Sequence, residues 1–123
     1  MLIDEKEANY RIEGRDFNCS IDVTMFFVGG RWKMVLLWYL MNESRSFEEL
    51  KKIIPNINNK MLSIQLQSLE ADSFIVLEKV EGVEEEKYQL TEKGYTLIPM
   101  LRELASWGEM MAEKHGELIY LEE

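Results

Sequence analysis

The sequence predicts a mainly α-helical chain with one small β-hairpin, an α+β architecture, on three observations. Apolar residues recur at helical spacing in successive stretches, a capping box and a proline turn join two short helices in tandem, and a β-rich stretch interrupted by a charged turn follows them directly. An apolar content of 46% with three tryptophans in 123 residues is enough for one folded domain with a modest core.

Residues 1–18 are polar and mixed in charge, with Tyr10, Ile12 and Phe17 scattered among them. They read as an N-terminal arm, mobile or clasping a partner. Ser20 to Val28 reads as a short helix with Ile21, Met25 and Val28 on one side, and Gly29-Gly30 ends it. Arg31 to Met41 has the strongest helical signal: Trp32, Val35, Leu36, Tyr39 and Leu40 follow i, i+3, i+4, i+7, i+8, as a central core helix would. Asn42 to Arg45 is a turn.

Ser46-Phe47-Glu48-Glu49 has serine at the cap and glutamate three residues on, a capping box. The short helix to Ile54 turns Phe47, Leu50 and Ile53 inward. It carries Lys51 and Lys52 near its C-terminal end, where the dipole favours cations. Pro55 stops it, and Pro55-Asn56-Ile57 is a tight turn. Asn58 caps the next helix, which runs to Asp72, and Ile57 with Leu62 fits a hydrophobic staple. Leu62, Leu66 and Leu69 form a narrow apolar stripe. The opposite face carries Lys60, Ser63, Ile64, Gln67 and Ser68, with no carboxylate before Glu70. Taken alone it is an ordinary amphipathic helix with amide-rich decoration. Asn, Lys, Ser and Gln can also hydrogen-bond base edges and phosphates. Two short helices so briefly joined are a helix-turn-helix layout.

Phe74 to Val80 is rich in β-formers, Glu81 to Glu86 is a charged turn containing glycine, and Lys87 to Leu90 is the return strand. A hairpin directly after a helix-turn-helix is a wing. Thr91 caps a last long helix from Glu92 to about His115, stopped by Gly116 and kinked by the internal Pro99. Leu97, Leu101, Leu104, Trp107 and Met111 make it apolar over more than one face. A lid over the chain's own core would use one such face. Homodimerisation through this helix would use the rest and is the favoured reading. The division is then an arm (1–18), a winged helix-turn-helix domain (19–116) with its dimerisation helix (about 92–115), and an acidic tail (117–123).

The net charge of −9 argues against indiscriminate nucleic-acid binding. The distribution is uneven. From Arg31 to Gln67 there are six cations against three anions, from Glu78 to Lys93 three against six, and from Gly94 to Glu123 two against six. The positive segment holds the amide-faced helix.

Other chemistry is missing. The one cysteine, Cys19, leaves no intramolecular disulfide or cysteine-built zinc site and fits a reducing cytoplasm. The N-terminus lacks the apolar core of a signal peptide, and the longest apolar run, Met34 to Met41, is too short to span a membrane. The sole histidine, His115, suits a helix-terminal cation and has no partners for catalysis or metal binding. Gly29-Gly30 is too short for a phosphate loop, and Glu84-Glu85-Glu86 lacks the spacing of a calcium loop. The sequence therefore reads as a cytoplasmic non-enzyme with no metal or cofactor.

Several motifs fall in a joint spacing. Cys19 is followed by Val28-Gly29-Gly30-Arg31-Trp32-Lys33, then Ser46-Phe47-x-Glu49-Leu50, Ile53-Ile54-Pro55-x-Ile57 and Lys60-Met61-Leu62-Ser63-x-x-Leu66-x-x-Leu69-Glu70-Ala71-Asp72. Tyr88-x-Leu90-Thr91-Glu92-Lys93-Gly94, Pro99 and Trp107-Gly108 complete it. Over about residues 19–108 the chain resembles the HxlR-type winged helix-turn-helix transcriptional regulators. The resemblance implies a dimeric bacterial or archaeal regulator that binds a pseudo-palindromic operator in double-stranded DNA. Asn58 would cap the recognition helix, and Asn59, Lys60, Ser63, Ile64 and Gln67 would face the groove. Arg45 with Lys51 or Lys52 would contact the backbone. Cys19 matches the cysteine that senses oxidants or electrophiles in several relatives, and it precedes a helix N-terminus, a setting in which thiols react. The alternative role for Cys19 is an inert, partly buried thiol. The chain departs from the family at Ser20, at Asp72-Ser73 and at its wing, Glu81-Gly82-Val83-Glu84-Glu85-Glu86-Lys87, where three adjacent glutamates would repel phosphates. That wing leaves a second reading: a winged-helix protein-interaction module with weak or no DNA binding.

Overall fold

A computed structural model of the chain describes residues 1–79, 81–82 and 84–121. The element order is β1 (Leu2–Ile3), β2 (Lys6–Glu7), β3 (Tyr10–Ile12), β4 (Arg15–Phe17), α1 (Ser20–Val28), α2 (Lys33–Leu40), α3 (Phe47–Ile53), α4 (Asn59–Ala71), β5 (Ile75–Lys79), β6 (Glu86–Leu90), α5 (Glu92–Tyr95) and α6 (Ile98–His115). The architecture is mainly helical with small antiparallel hairpins. Among the described residues no helix is long and apolar enough to cross a membrane.

The N-terminal residues are not the irregular arm their polarity suggested. They fold into two hairpins, β1–β2 and β3–β4. Glu13 and Gly14 both take positive φ between β3 and β4, as a two-residue hairpin turn requires. Across that hairpin Arg11 Nε and Nη2 donate to the two Asp16 carboxylate oxygens at 2.6 and 3.1 Å. Phe17 is fully buried, edge-on to Phe26 of α1 at 5.2 Å between centroids.

The expected inward face of α1 is only partly correct. Val28 is buried, but Ile21 and Met25 are exposed. Gly29 is the C-cap: its N–H makes the last helical bond, to the Met25 carbonyl at 2.8 Å, its backbone then turns extended, and a Cβ there would lie 2.2 Å from that oxygen. α2 is the central helix. Leu36, Leu37 and Leu40 are buried, while Trp32, Val35 and Tyr39 pack half-buried at the core's edge.

The tandem helices form as the sequence predicts. The Glu49 N–H donates to Ser46 Oγ and the Ser46 N–H to Glu49 Oε1, each at 3.1 Å. Asn58 Oδ1 accepts the Met61 N–H at 2.8 Å and caps α4. Ile57 and Leu62 are both buried, as the staple requires, and Leu62, Leu66 and Leu69 are all buried beneath α4.

In the wing, β5 pairs with β6 from Ile75 opposite Leu90 to Lys79 opposite Glu86. The expectation that the first strand extends to Val80, and the turn residue Val83, lie outside the described residues. Arg45 forms a single antiparallel bridge to β6: its N–H donates to the Tyr88 carbonyl at 3.0 Å and its carbonyl accepts the Tyr88 N–H at 2.8 Å. Thr91 caps α5, accepting the Gly94 N–H at 3.1 Å, and its own hydroxyl donates to Ser73 O at 2.5 Å. A Cβ on Gly94 would lie 2.2 Å from the Phe74 carbonyl, so this junction closes only on glycine.

The single kinked C-terminal helix is corrected to two helices. Pro99 lies in the first turn of α6, where its missing N–H is unneeded, and α5 ends before it.

Lys87 Nζ lies 2.9 Å from Glu49 Oε1, so the carboxylate that closes the capping box also receives the wing's lysine. These contacts, the Lys87 hydrogen bond first and the Ser46 N–H next, lower the Glu49 pKa from 4.5 to about 2. Because the folded value is depressed, this contact stabilises the fold above about pH 4.5 and is lost as pH falls from there towards 2. In thermal melts across that window, Glu49→Gln should remove this part of the acid-induced loss. Ser46→Ala should cost about 1 kcal/mol at every pH.

Candidate nucleic-acid interface

α4 buries one stripe and presents the other. With its leucines inward, Asn58, Asn59, Lys60, Ile64 and Gln67 are exposed and Ser63 is half-buried. Lys60, Ser63, Ile64 and Gln67 succeed one another at i, i+3, i+4 and i+7 along one face. Thirteen residues give a rod about 20 Å long, and a B-form major groove about 12 Å wide admits such a helix. The N-terminus of α4 adds the positive end of its dipole beside Lys60.

The three upstream cations have different fates. Lys52 is exposed. Lys51 is half-buried and its Nζ donates to the Ile57 carbonyl, tying α3 to the turn before α4. Arg45 is 22% exposed; its Nε donates to the Tyr39 carbonyl at 2.9 Å and its Nη1 pairs with Glu43 at 3.1 Å. Arg45 therefore fastens the end of α2 instead of standing free for a phosphate, and Lys51 is largely spent on the turn. Residue type pointed to the surface for both; only the tertiary fold reveals the carbonyls they meet.

The wing tip is acidic and exposed at Glu81, Glu84, Glu85 and Glu86. Lys79, opposite Glu86, and Lys87, drawn to Glu49, are the wing's cations. Lys87 and Glu49, which set the wing's place beside α3, carried no sequence signal for this role because they lie 38 residues apart. On α5, Lys93 Nζ donates to Asp72 O at 2.7 Å and stands over the Phe74 ring at 4.6 Å, pinning the end of α4 to the wing root.

Cys19 is half-buried and free, at the N-cap of α1, where its side chain makes no capping bond. The residues expected at a dimer interface separate into two groups. Leu101 is buried at 3% exposure in the protomer's own core, and Leu97 packs half-buried against that core. Leu104, Trp107 and Met110 are 45, 62 and 52% exposed, with Met111 half-buried beside them. Among the described residues no group of three His, Cys, Asp or Glu side chains converges as metal ligands would.

The sequence pattern of the HxlR-like helix-turn-helix family matches residues 27–116. The HTH-type transcriptional regulator YkvN of Bacillus subtilis (strain 168) is 41% identical over 81% of this chain and 86% of that protein. The oxidised form of the redox regulator HypR superposes with a TM-score of 0.69 at 35% identity, over 75% of this chain and 96% of that one. The quinone-bound YodB from B. subtilis superposes at 0.62 and 28% identity, over 74% and 97%.

The unequal placement of the two neighbouring lysines is testable by thermal unfolding. Lys51→Ala should lower stability by about 1 kcal/mol through loss of the Ile57 carbonyl contact. Lys52→Ala should change it by no more than about 0.5 kcal/mol. Equal effects would remove the structural assignment of Lys51.

Proposed function

The chain belongs to the HxlR-like helix-turn-helix family of transcriptional regulators, which are not enzymes, and from this premise we propose that it is a homodimeric regulator reading a pseudo-palindromic operator in double-stranded DNA with α4. The observation that carries the reading is the polar face of α4, with one cation and no carboxylate before Glu70, presented while its leucines are buried. Gln67 and Asn59 are suited to bidentate pairing with adenine, Ile64 to a thymine methyl, and Asn58 and Ser63 to neighbouring polar edges. Lys60 and Lys52 suit phosphates. Arg45 and Lys51 act one step back, by holding the elements that present α4.

The partner surface is the exposed ridge of Leu104, Trp107 and Met110, with Met111 at its margin. A two-fold axis crossing α6 near Trp107 and Gly108 pairs the helix with its mate antiparallel. Half-sites then lie about one helical turn, ~34–36 Å, apart. Cys19 carries the redox response. With one cysteine per chain, its oxidation to a disulfide joins two protomers or captures a small thiol, with two electrons passing to the oxidant and two protons released. The redox regulator HypR and the quinone-bound YodB are the relatives that support this role.

The acidic wing favours a second reading, in which the fold docks a protein and binds DNA weakly. Mobility-shift titration against the DNA upstream of the chain's own gene separates the two. A regulator gives a sequence-dependent, salt-sensitive shift at or below micromolar protein; its absence leaves the docking module.

On DNA, Lys60→Ala should weaken all sequences alike and lower the salt slope by about 1. Gln67→Ala should relax preference at one base pair, worth about 1–3 kcal/mol. If neither changes binding, α4 is not the reading helix. Under oxidant, Cys19→Ser should keep the reduced protein's DNA affinity while the parent chain's affinity changes. Equal responses of the two chains end the sensor role.

A further inference from the structure

A cleft of about 330 Å³ opens between α2 and α6, walled by Val35, Trp38 and Tyr39 on one side and Leu101, Leu104 and Ala105 on the other. Leu101 is buried while Trp38 and Leu104 are 38 and 45% exposed, so the cleft has a closed floor and an open mouth. We propose that it binds a neutral aromatic molecule of about two rings, and that this occupant sets how α6 lies against the DNA-reading elements.

Size, polarity and charge select this ligand class. An apolar protein cavity of about 150 Å³ holds one benzene ring, so this volume suits about two. It also falls in the range of small-molecule sites, about 300–1,000 Å³. The lining carries no carboxylate, ammonium or guanidinium; its polar side-chain groups are the Trp38 N–H, the Tyr39 hydroxyl and the Met34 thioether. A charged ligand would lose its water there and gain no ionic partner. An anion would also meet the field of a chain with net charge −9. Trp38 and Tyr39 favour a ring stacked or edge-on, and the Met34 sulfur suits a ring edge.

Larger occupants fit less well. A specific protein interface takes about 800 Å² and about 20–30 residues from each side, whereas seven residues line this cleft. The chain's own apolar tail, Leu118 to Leu121, is at least 68% exposed and so lies outside it. The walls belong to the two elements whose relation matters on DNA. Tyr39 lies near the end of α2, and its carbonyl holds Arg45 Nε at 2.9 Å; Arg45 is in turn bridged to β6 of the wing. Leu104 of the opposite wall also belongs to the proposed partner ridge. A ligand wedged between them moves that ridge relative to the wing and α4, and with it the half-site spacing that a dimer fits.

The effect on DNA rests on the homodimeric regulator proposed above; the binding does not, and the test keeps the two apart. The probe is prodan, a neutral two-ring naphthalene whose emission shifts to the blue out of water. It should bind the parent chain saturably, one molecule per chain. The neutral ketone 2-acetylnaphthalene should displace it, and the anion 2-naphthoate should not. Ala105→Phe and, from the opposite wall, Val35→Phe narrow the cleft. Each should raise the probe's Kd at least about tenfold in a chain that circular dichroism shows to be folded. Trp107→Ala on the ridge, and Leu118→Asp with Leu121→Asp in the tail, should leave Kd unchanged. Saturating 2-acetylnaphthalene should change the parent's DNA affinity at least about fivefold and that of Ala105→Phe not at all. No saturable binding, or binding that survives both phenylalanine variants, overturns the site. Loss of binding with Trp107→Ala overturns it in favour of the ridge, and binding gained only in the aspartate variant overturns it in favour of the tail. Displacement by 2-naphthoate overturns the neutral class. Binding without a change on DNA refutes the effect on α6 and leaves the regulator standing. A parent chain that shifts no DNA refutes the regulator, and the probe titrations then decide the site alone.

Discussion

One carboxylate joins the two halves of the winged domain. Glu49 closes the capping box of α3 through the Ser46 N–H and receives Lys87 from the wing on the same oxygen. Its pair is partly exposed, at 26% for Lys87 and 37% for Glu49, so its Coulombic worth is modest. Its importance is geometric. β6 is already bonded to Arg45 through two backbone hydrogen bonds, immediately before the cap. The side-chain contact beside that bridge sets how the wing leans on α3, and α3 in turn sets α4 through the Lys51 contact to Ile57. The angle between α4 and the wing follows from this short chain of bonds.

At the far end of α4 a second junction fixes the same angle from below. Thr91 donates to the Ser73 and Phe74 carbonyls and Lys93 to that of Asp72, while Gly94 packs against the Phe74 carbonyl where no side chain fits. Ser73 takes positive φ here. Serine here holds a conformation that glycine adopts more cheaply. The hydrogen bond from Thr91 to the Ser73 carbonyl offsets part of that cost.

What was legible in the sequence is what depends on neighbours within a turn or two. The capping box, the Asn58 cap, the Pro55 stop, the leucine stripe of α4 and the two strands of the wing follow from local spacing and are all present. The family resemblance follows from the joint spacing of such motifs. What was not legible depends on residues distant in sequence. Arg45 and Lys51 read as free cations because the carbonyls they serve come together only on folding. Leu101 read as interface because helical periodicity cannot tell which of two apolar faces meets the protomer's own core. The N-terminal hairpins were missed because strands of two or three residues carry too little alternation to register.

Those hairpins also alter how the N-terminal part relates to the rest. Phe17 of β4, Phe26 and Phe27 of α1, and Phe74 at the wing root form a row of edge-to-face rings with centroids 5.2, 5.1 and 6.2 Å apart. Arg15 stands over the first two rings and Lys93 over the last two. Each such pair contributes about 0.5–1.5 kcal/mol beyond its buried area, so the row couples the hairpin to the wing root more firmly than an arm tethered at one point. Cys19 lies in the sequence between Phe17 and α1, so the backbone on both sides of it is held by residues of this row.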